Sequence, residues 1–110
     1  MITNEFEKAK AIDLRNSVEY SNGGIVSKTV IKRETGNISV FSFDKGEGLT
    51  EHTSPFDAVI MVLDGKGEIT IGGVPAIVDS GQLIIMPRDI PHAVYAQERF
   101  KMMLIMIRSK

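Results

Sequence analysis

The sequence predicts an all-β protein, a sandwich or barrel of about eight short strands. Three observations carry this reading. Most of the ten glycines fall between short runs rich in Ile, Val and Phe. Two of those breaks, Asp64-Gly65 and Gly72-Gly73, are dipeptides that suit the positive φ angles of tight hairpin turns. Only the first residues carry a helical pattern. At 110 residues the chain fits one domain, 1–110, large enough to bury a core without covalent staples.

Taken in order, Asn4-Glu5-Phe6-Glu7 resembles a capping box, and Ala9 and Ala11 favour helix, so a short helical turn is expected over Glu5 to Ala11. A strand pairing with another subunit is the alternative. Strands are expected at Ile25 to Lys32, between Asn22-Gly23-Gly24 and Thr35-Gly36-Asn37, and at Ile38 to Phe43, ended by Asp44-Lys45-Gly46. Ala58 to Leu63 precedes the Asp64-Gly65 turn, read as a hairpin. Glu68 to Ile71 and Val74 to Val78 flank Gly72-Gly73, a second hairpin. Leu83 to Met86, His92 to Gln97 and Phe100 to Ile107 complete the set. Residues 1–24 form an N-terminal extension expected to pack on the barrel or on a partner subunit.

Two of these strands lack alternation. Val59 to Leu63 and Met102 to Ile107 are apolar on both faces, whereas a two-sheet fold gives each strand one inward face. The second face needs a cover. A second subunit is the simplest, predicting a homodimer, and the N-terminal segment folding over one strand is the alternative.

Composition excludes several classes. Thirteen basic against fourteen acidic side chains give a net charge of −1, without the basic footprint of a nucleic-acid binder. The chain has no cysteine, which removes disulfides, thiolate metal sites and thiol catalysis. Charges occupy Met1 to Lys10 where a signal peptide needs an apolar run, and the longest apolar stretch, Met102 to Ile107, is too short to span a bilayer. A cytoplasmic address is therefore the default expectation.

Histidine is scarce. His52 and His92 each lie where a loop enters an expected strand, and strand ends at a barrel mouth are where small-ligand sites form. Gly65-x-Gly67 leads into a strand and is a turn, not a phosphate loop. Lys28, Lys32 and Arg33 read as a solvated strand face.

The segments around the histidines resemble the cupin family. Its first motif runs Gly, five residues, His-x-His, three or four residues, Glu, six residues, Gly; Gly46, His52 and Gly65 fit it. The second runs Gly, five residues, Pro-x-Gly, two residues, His, three residues, Asn; Gly81, Pro87 and His92 fit that. The resemblance spans about 37–107 and implies a double-stranded β-helix, a small jelly-roll barrel. It also implies a divalent metal ion (Zn, Ni, Fe or Mn) held by two first-motif histidines, the glutamate and the second-motif histidine.

Only His52 and His92 match those four ligands. The second histidine position is Ser54, the glutamate position Ala58, the second-motif glycine Asp89 and the final asparagine Ala96. A serine hydroxyl is a poor ligand for such ions at neutral pH, and no carboxylate offsets their charge. Asp57 adjoins the lost glutamate, but alternation turns it away unless a bulge after Pro55 rotates it inward. Alternation from His52 predicts an inward set of Thr50, Ser54, Phe56, Ala58, Ile60 and Val62, and from His92 it adds Val94 and Ala96. Ser54, Phe56, Ala58, Ile60 and Val94 are the expected ligand-binding wall, although small barrels are commonly filled by such residues. The six methionines read as core filler whose flexible side chains also suit an adaptable pocket.

The functional expectation is a small-molecule-binding cupin with its pocket at His52 and His92, with or without a divalent metal. Two enzymatic alternatives stand beside it. One is metal-dependent chemistry resembling cupin dioxygenases and isomerases, and the other is metal-free chemistry with one histidine as general base, resembling the epimerase branch.

Overall fold

A computed structural model describes residues 5–108. Among the described residues nine antiparallel strands form two sheets. In chain order they are β1 (Ile25–Arg33), β2 (Gly36–Phe43), β3 (Gly48–His52), β4 (Asp57–Asp64), β5 (Lys66–Ile71), β6 (Val74–Asp79), β7 (Leu83–Met86), β8 (His92–Tyr95) and β9 (Phe100–Ile107). One sheet has the order β1-β2-β9-β4-β7 and the other β3-β8-β5-β6. The all-β jelly-roll barrel expected from the sequence is the fold observed.

Three expectations need correction. The sequence pattern does not mark β3, because Gly48-Leu49-Thr50-Glu51-His52 offers one large apolar residue and two glycines nearby. The Asp64-Gly65 turn joins strands of different sheets and is no hairpin: β4 pairs with β7 and β9, while β5 pairs with β6 and β8. The Gly72-Gly73 hairpin is real, with Ile71 opposite Val74 and φ values of 56° and 83° at the two glycines.

The helical turn at Glu5 to Ala11 is absent, and Ala9 holds a φ of 60°. The local backbone bonds to β1 instead. The Phe6 N–H donates to the Val30 carbonyl, and the Glu5 carboxylate accepts from the Lys32 N–H and from Arg33. Asn4 of the expected capping box lies outside the described residues. A single 3-10 turn, Leu14–Asn16, is the helical element observed among the described residues.

The core lies between the sheets. Phe43, Ile60, Ile69, Phe100 and Met102 are fully buried there, and the Phe43 and Phe100 rings stack at 4.8 Å. Burying side chains of this size contributes roughly 1.5–3 kcal/mol each.

The outer face of the five-stranded sheet explains the doubly apolar strands. Its register aligns Ile31, Ile38, Ile105, Val59 and Ile85 as one unbroken row across all five strands. A second row joins Val40, Met103, Met61 and Leu83. Residues 15–20 cross part of this face: Lys101 donates to the Arg15 carbonyl, Lys28 to the Ser17 carbonyl and Ser42 to the Glu19 carbonyl, while Val18 is wholly buried. Leu83, Ile85 and Ile107 stay more than half exposed.

Candidate functional site

The two histidines, 40 residues apart, become neighbours because β3 pairs with β8 and places His52 directly opposite His92. Their ring centroids are 4.4 Å apart, with the planes at 66°. His52 is exposed at the mouth and His92 is buried behind it. Each Nδ1 faces a backbone carbonyl two residues earlier, Thr50 at 2.7 Å and Ile90 at 3.2 Å. A carbonyl only accepts, so Nδ1 carries the proton, and in the neutral form of each ring Nε2 keeps a free lone pair. The backbone has thus fixed both tautomers in the state a metal or a ligand's donor group requires.

Behind the pair lies a cavity of about 50 Å³ between the sheets, lined by both histidines, Leu49, Ser54, Ala58, Ile60, Met86, Val94, Met102, Leu104 and Met106. It has room for a group of a few heavy atoms, well below the roughly 300–1,000 Å³ that encloses a drug-sized ligand. Of the expected wall, Ser54, Ala58, Ile60 and Val94 are in place.

Phe56 is not. It precedes β4 in the bend after Pro55, where strand alternation does not apply, and its ring sits under the Arg108 guanidinium at 6.0 Å. Thr50 also faces solvent and Leu49 takes the inward place. Between Leu49 and His52, β3 slips one residue against β8, and this bulge reverses the parity. Val62 and Ala96 are buried in the core without lining the cavity. Met86, Met102, Leu104 and Met106 were missed as lining residues, because methionine in a barrel reads first as filler and because β9 is apolar on both faces.

Two loops are tied at the mouth. The Asp89 N–H donates to the Ser54 carbonyl at 2.8 Å, and Asp89 holds a φ of 65°, the left-handed conformation that the glycine of the second motif would adopt. Asp57 accepts from the Arg88 N–H and stays exposed, so no bulge brings it into the cavity. The Ser54 hydroxyl accepts from the Phe56 N–H.

This donor set does not fit the four-ligand divalent site that the resemblance implies. Two imidazoles are present, a backbone-engaged serine replaces the third, and a methyl group replaces the carboxylate. Among the described residues no cluster of three or more His, Cys, Asp or Glu could hold a metal ion.

Comparison with known proteins agrees with the geometry. The family described as Cupin domain matches residues 39–108, and the chain belongs to the cupin family. A conserved protein of unknown function from Streptococcus pyogenes is 41% identical over 97% of this chain and 94% of its own, with a TM-score of 0.92. A Cupin 2 conserved barrel domain protein from Leptotrichia buccalis is 42% identical over 88% of this chain, with a TM-score of 0.86, and this chain spans 47% of its length. A cupin superfamily protein from Desulfitobacterium hafniense shares the fold at 23% identity, covering 99% of both chains with a TM-score of 0.88. No curated protein matches the sequence. Among the described residues no helix is long and apolar enough to cross a membrane.

Proposed function

We propose that this cupin binds a small organic molecule at the barrel mouth and grips one polar group of it between His52 and His92. The observation that carries the reading is the paired imidazoles, 4.4 Å apart, each with Nδ1 engaged by a backbone carbonyl. Two Nε2 lone pairs on neighbouring rings suit a hydroxyl, an ammonium or another group with protons to donate. The cavity takes the bound end of the ligand, against Ser54, Ala58, Ile60 and Val94, and the remainder stays in the mouth.

A catalytic version of this reading uses one imidazole as general base on a carbonyl or sugar substrate, and the free Nε2 on each ring is the feature that favours it. A thermal-melt panel of polyols, sugars, amines, carboxylates and divalent ions separates these readings from mere packing. A true guest raises the melting temperature of the wild type and leaves His52→Ala and His92→Ala unmoved. A panel compound that stabilises all three proteins equally would show that the histidine pair is not the site.

The same reading includes a homodimer. The five-residue apolar row from Ile31 to Ile85 carries no charge, and the hydrogen bonds of residues 15–20 to this sheet go to Lys28, Ser42, Asp64 and Lys101 and to none of its five members, so a second copy of the sheet supplies the cover.

A further inference from the structure

We infer that the cavity is a site for a soft monovalent metal ion, Cu(I), held by His52 and His92 from one sheet and by the thioethers of Met86 and Met106 from the other. The argument begins at Ala58. Ala58 stands directly opposite Met86 on β7 and Met106 on β9, so the three residues form one inward row across adjacent strands. Side chains paired in this way have Cβ atoms about 4.5–5.5 Å apart, and a methyl group between two long thioethers leaves both free to reach over it. The histidine pair lines the same cavity. His52, His92, Met86 and Met106 therefore line one space of about 50 Å³.

The chemistry of that set selects against the ions of a carboxylate-bearing site. Every donor is neutral. The cost of desolvating an ion grows with the square of its charge, so a dication costs about fourfold more than a monocation here, with no anionic ligand to offset it. Thioether sulfur is soft and favours Cu(I), and imidazole serves copper equally well. Three of the chain's six methionines, Met86, Met102 and Met106, line this cavity, and Ile60, Val94 and Leu104 complete an apolar wall around them. The feature that spoils a divalent site, alanine in place of glutamate, is the one that opens the gap between the sulfurs.

The inference rests on the reading that the histidine pair holds one guest, and the experiment separates the two. Cu(I) is titrated anaerobically into the full chain against a bicinchoninate competitor, with Zn(II) titrated in parallel. The wild type should take up one equivalent of Cu(I) at least a hundredfold more tightly than Zn(II). The near-isosteric pair Met86→Leu and Met106→Leu should fold, as checked by its melt, and lose at least tenfold in Cu(I) affinity. His52→Asn and His92→Asn should each lose a similar factor. Uptake unchanged in the leucine variant would overturn the thioether site while leaving the histidine reading intact. Uptake unchanged in the asparagine variants would overturn both. No stoichiometric Cu(I) binding by the wild type, or tighter binding of Zn(II), would overturn the copper site alone, and the organic panel would then judge the histidine pair.

Discussion

The Tyr20 hydroxyl donates a 2.5 Å hydrogen bond to the Asp64 carboxylate, joining residues 44 positions apart. Asp64 also accepts from Arg15 at 2.8 Å, and the Tyr20 ring carries Lys101 at 4.9 Å and Arg99 at 5.2 Å. Asp64 ends β4, so this cluster pins the N-terminal extension to the end of the central strands. The buried Lys101 has its charge met by the ring face and by the Arg15 carbonyl, which is why a lysine is tolerated in an otherwise apolar strand.

Tyr20→Phe should cost about 1 kcal/mol, since Asp64 keeps Arg15 and part of its hydration. That corresponds to a melting temperature lower by roughly 4–8 °C. The difference depends on pH with a defined sign. The Tyr20 hydrogen bond holds the Asp64 carboxyl below its ordinary 3.8, so its contribution is complete above 3.8 and is lost as pH falls through the lowered value. Burial, aided by the Asp64 charge, raises the Tyr20 phenol above its ordinary 10, so that contribution is complete below 10 and is lost as pH rises past the raised value. Melts of both proteins should differ through the neutral range and converge in strong acid. A gap that survives in acid strong enough to protonate Asp64 would mean the hydroxyl acts through packing and not through the ionised carboxylate.

The fold was legible because turn chemistry at Gly72-Gly73 and alternation in the flanking strands are local signals. The pairing of His52 with His92 was legible only through motif spacing, since nothing local to either histidine names the other. The wall was harder to read. Alternation fails wherever the register slips, and the slip between Leu49 and His52 exchanged Thr50 for Leu49. It fails again at Pro55, which released Phe56 to pack under Arg108. In β9 both faces are apolar, so the sequence pattern cannot distinguish the cavity residue Met106 from the outward Ile105.

Gly48→Ala should separate β3 from β8. A Cβ at this position would lie 2.2 Å from the Val94 carbonyl oxygen and 3.1 Å from the Tyr95 Cα, both backbone atoms of the paired strand. Neither can swing aside, so the strands must part, at a cost of about 1–3 kcal/mol. His52 and His92 belong to this pair of strands, so their histidine NMR signals should shift together. A variant as stable as wild type, with unchanged histidine signals, would contradict the close approach.

Ile85→Glu tests the outer sheet face. Ile85 is 61% exposed, so the change should alter the fold of one subunit by less than about 0.5 kcal/mol. Buried against a second copy, the same carboxylate would be unpaired in an apolar contact. Light scattering at micromolar concentration should give about 24 kDa for the wild type and about 12 kDa for the variant. A 12 kDa wild type would remove the homodimer, and a 24 kDa variant would move its interface elsewhere.

Ser54→His together with Ala58→Glu should rebuild the divalent site. Ser54 and Ala58 line the cavity with His52 and His92, so Ser54→His and Ala58→Glu together would set three imidazoles and one carboxylate around a single space. Without metal the double variant should be less stable than wild type, for two reasons. The Ser54 hydroxyl no longer accepts the Phe56 N–H, and a carboxylate at the 2% exposed position 58 lies against apolar strands. Added Zn(II) or Ni(II) should reverse the loss, because affinity for such ions grows with the number of deprotonated ligands and a bound ion stabilises only the folded state. Several kcal/mol of metal-dependent stabilisation is the expected size, read as a melting-temperature rise in the variant and little or none in the wild type. The preference for Cu(I) should fall in the same variant, because glutamate fills the gap between Met86 and Met106 and supplies the negative charge a dication needs. Equal metal responses in both proteins would show that positions 54 and 58 do not face the histidine pair.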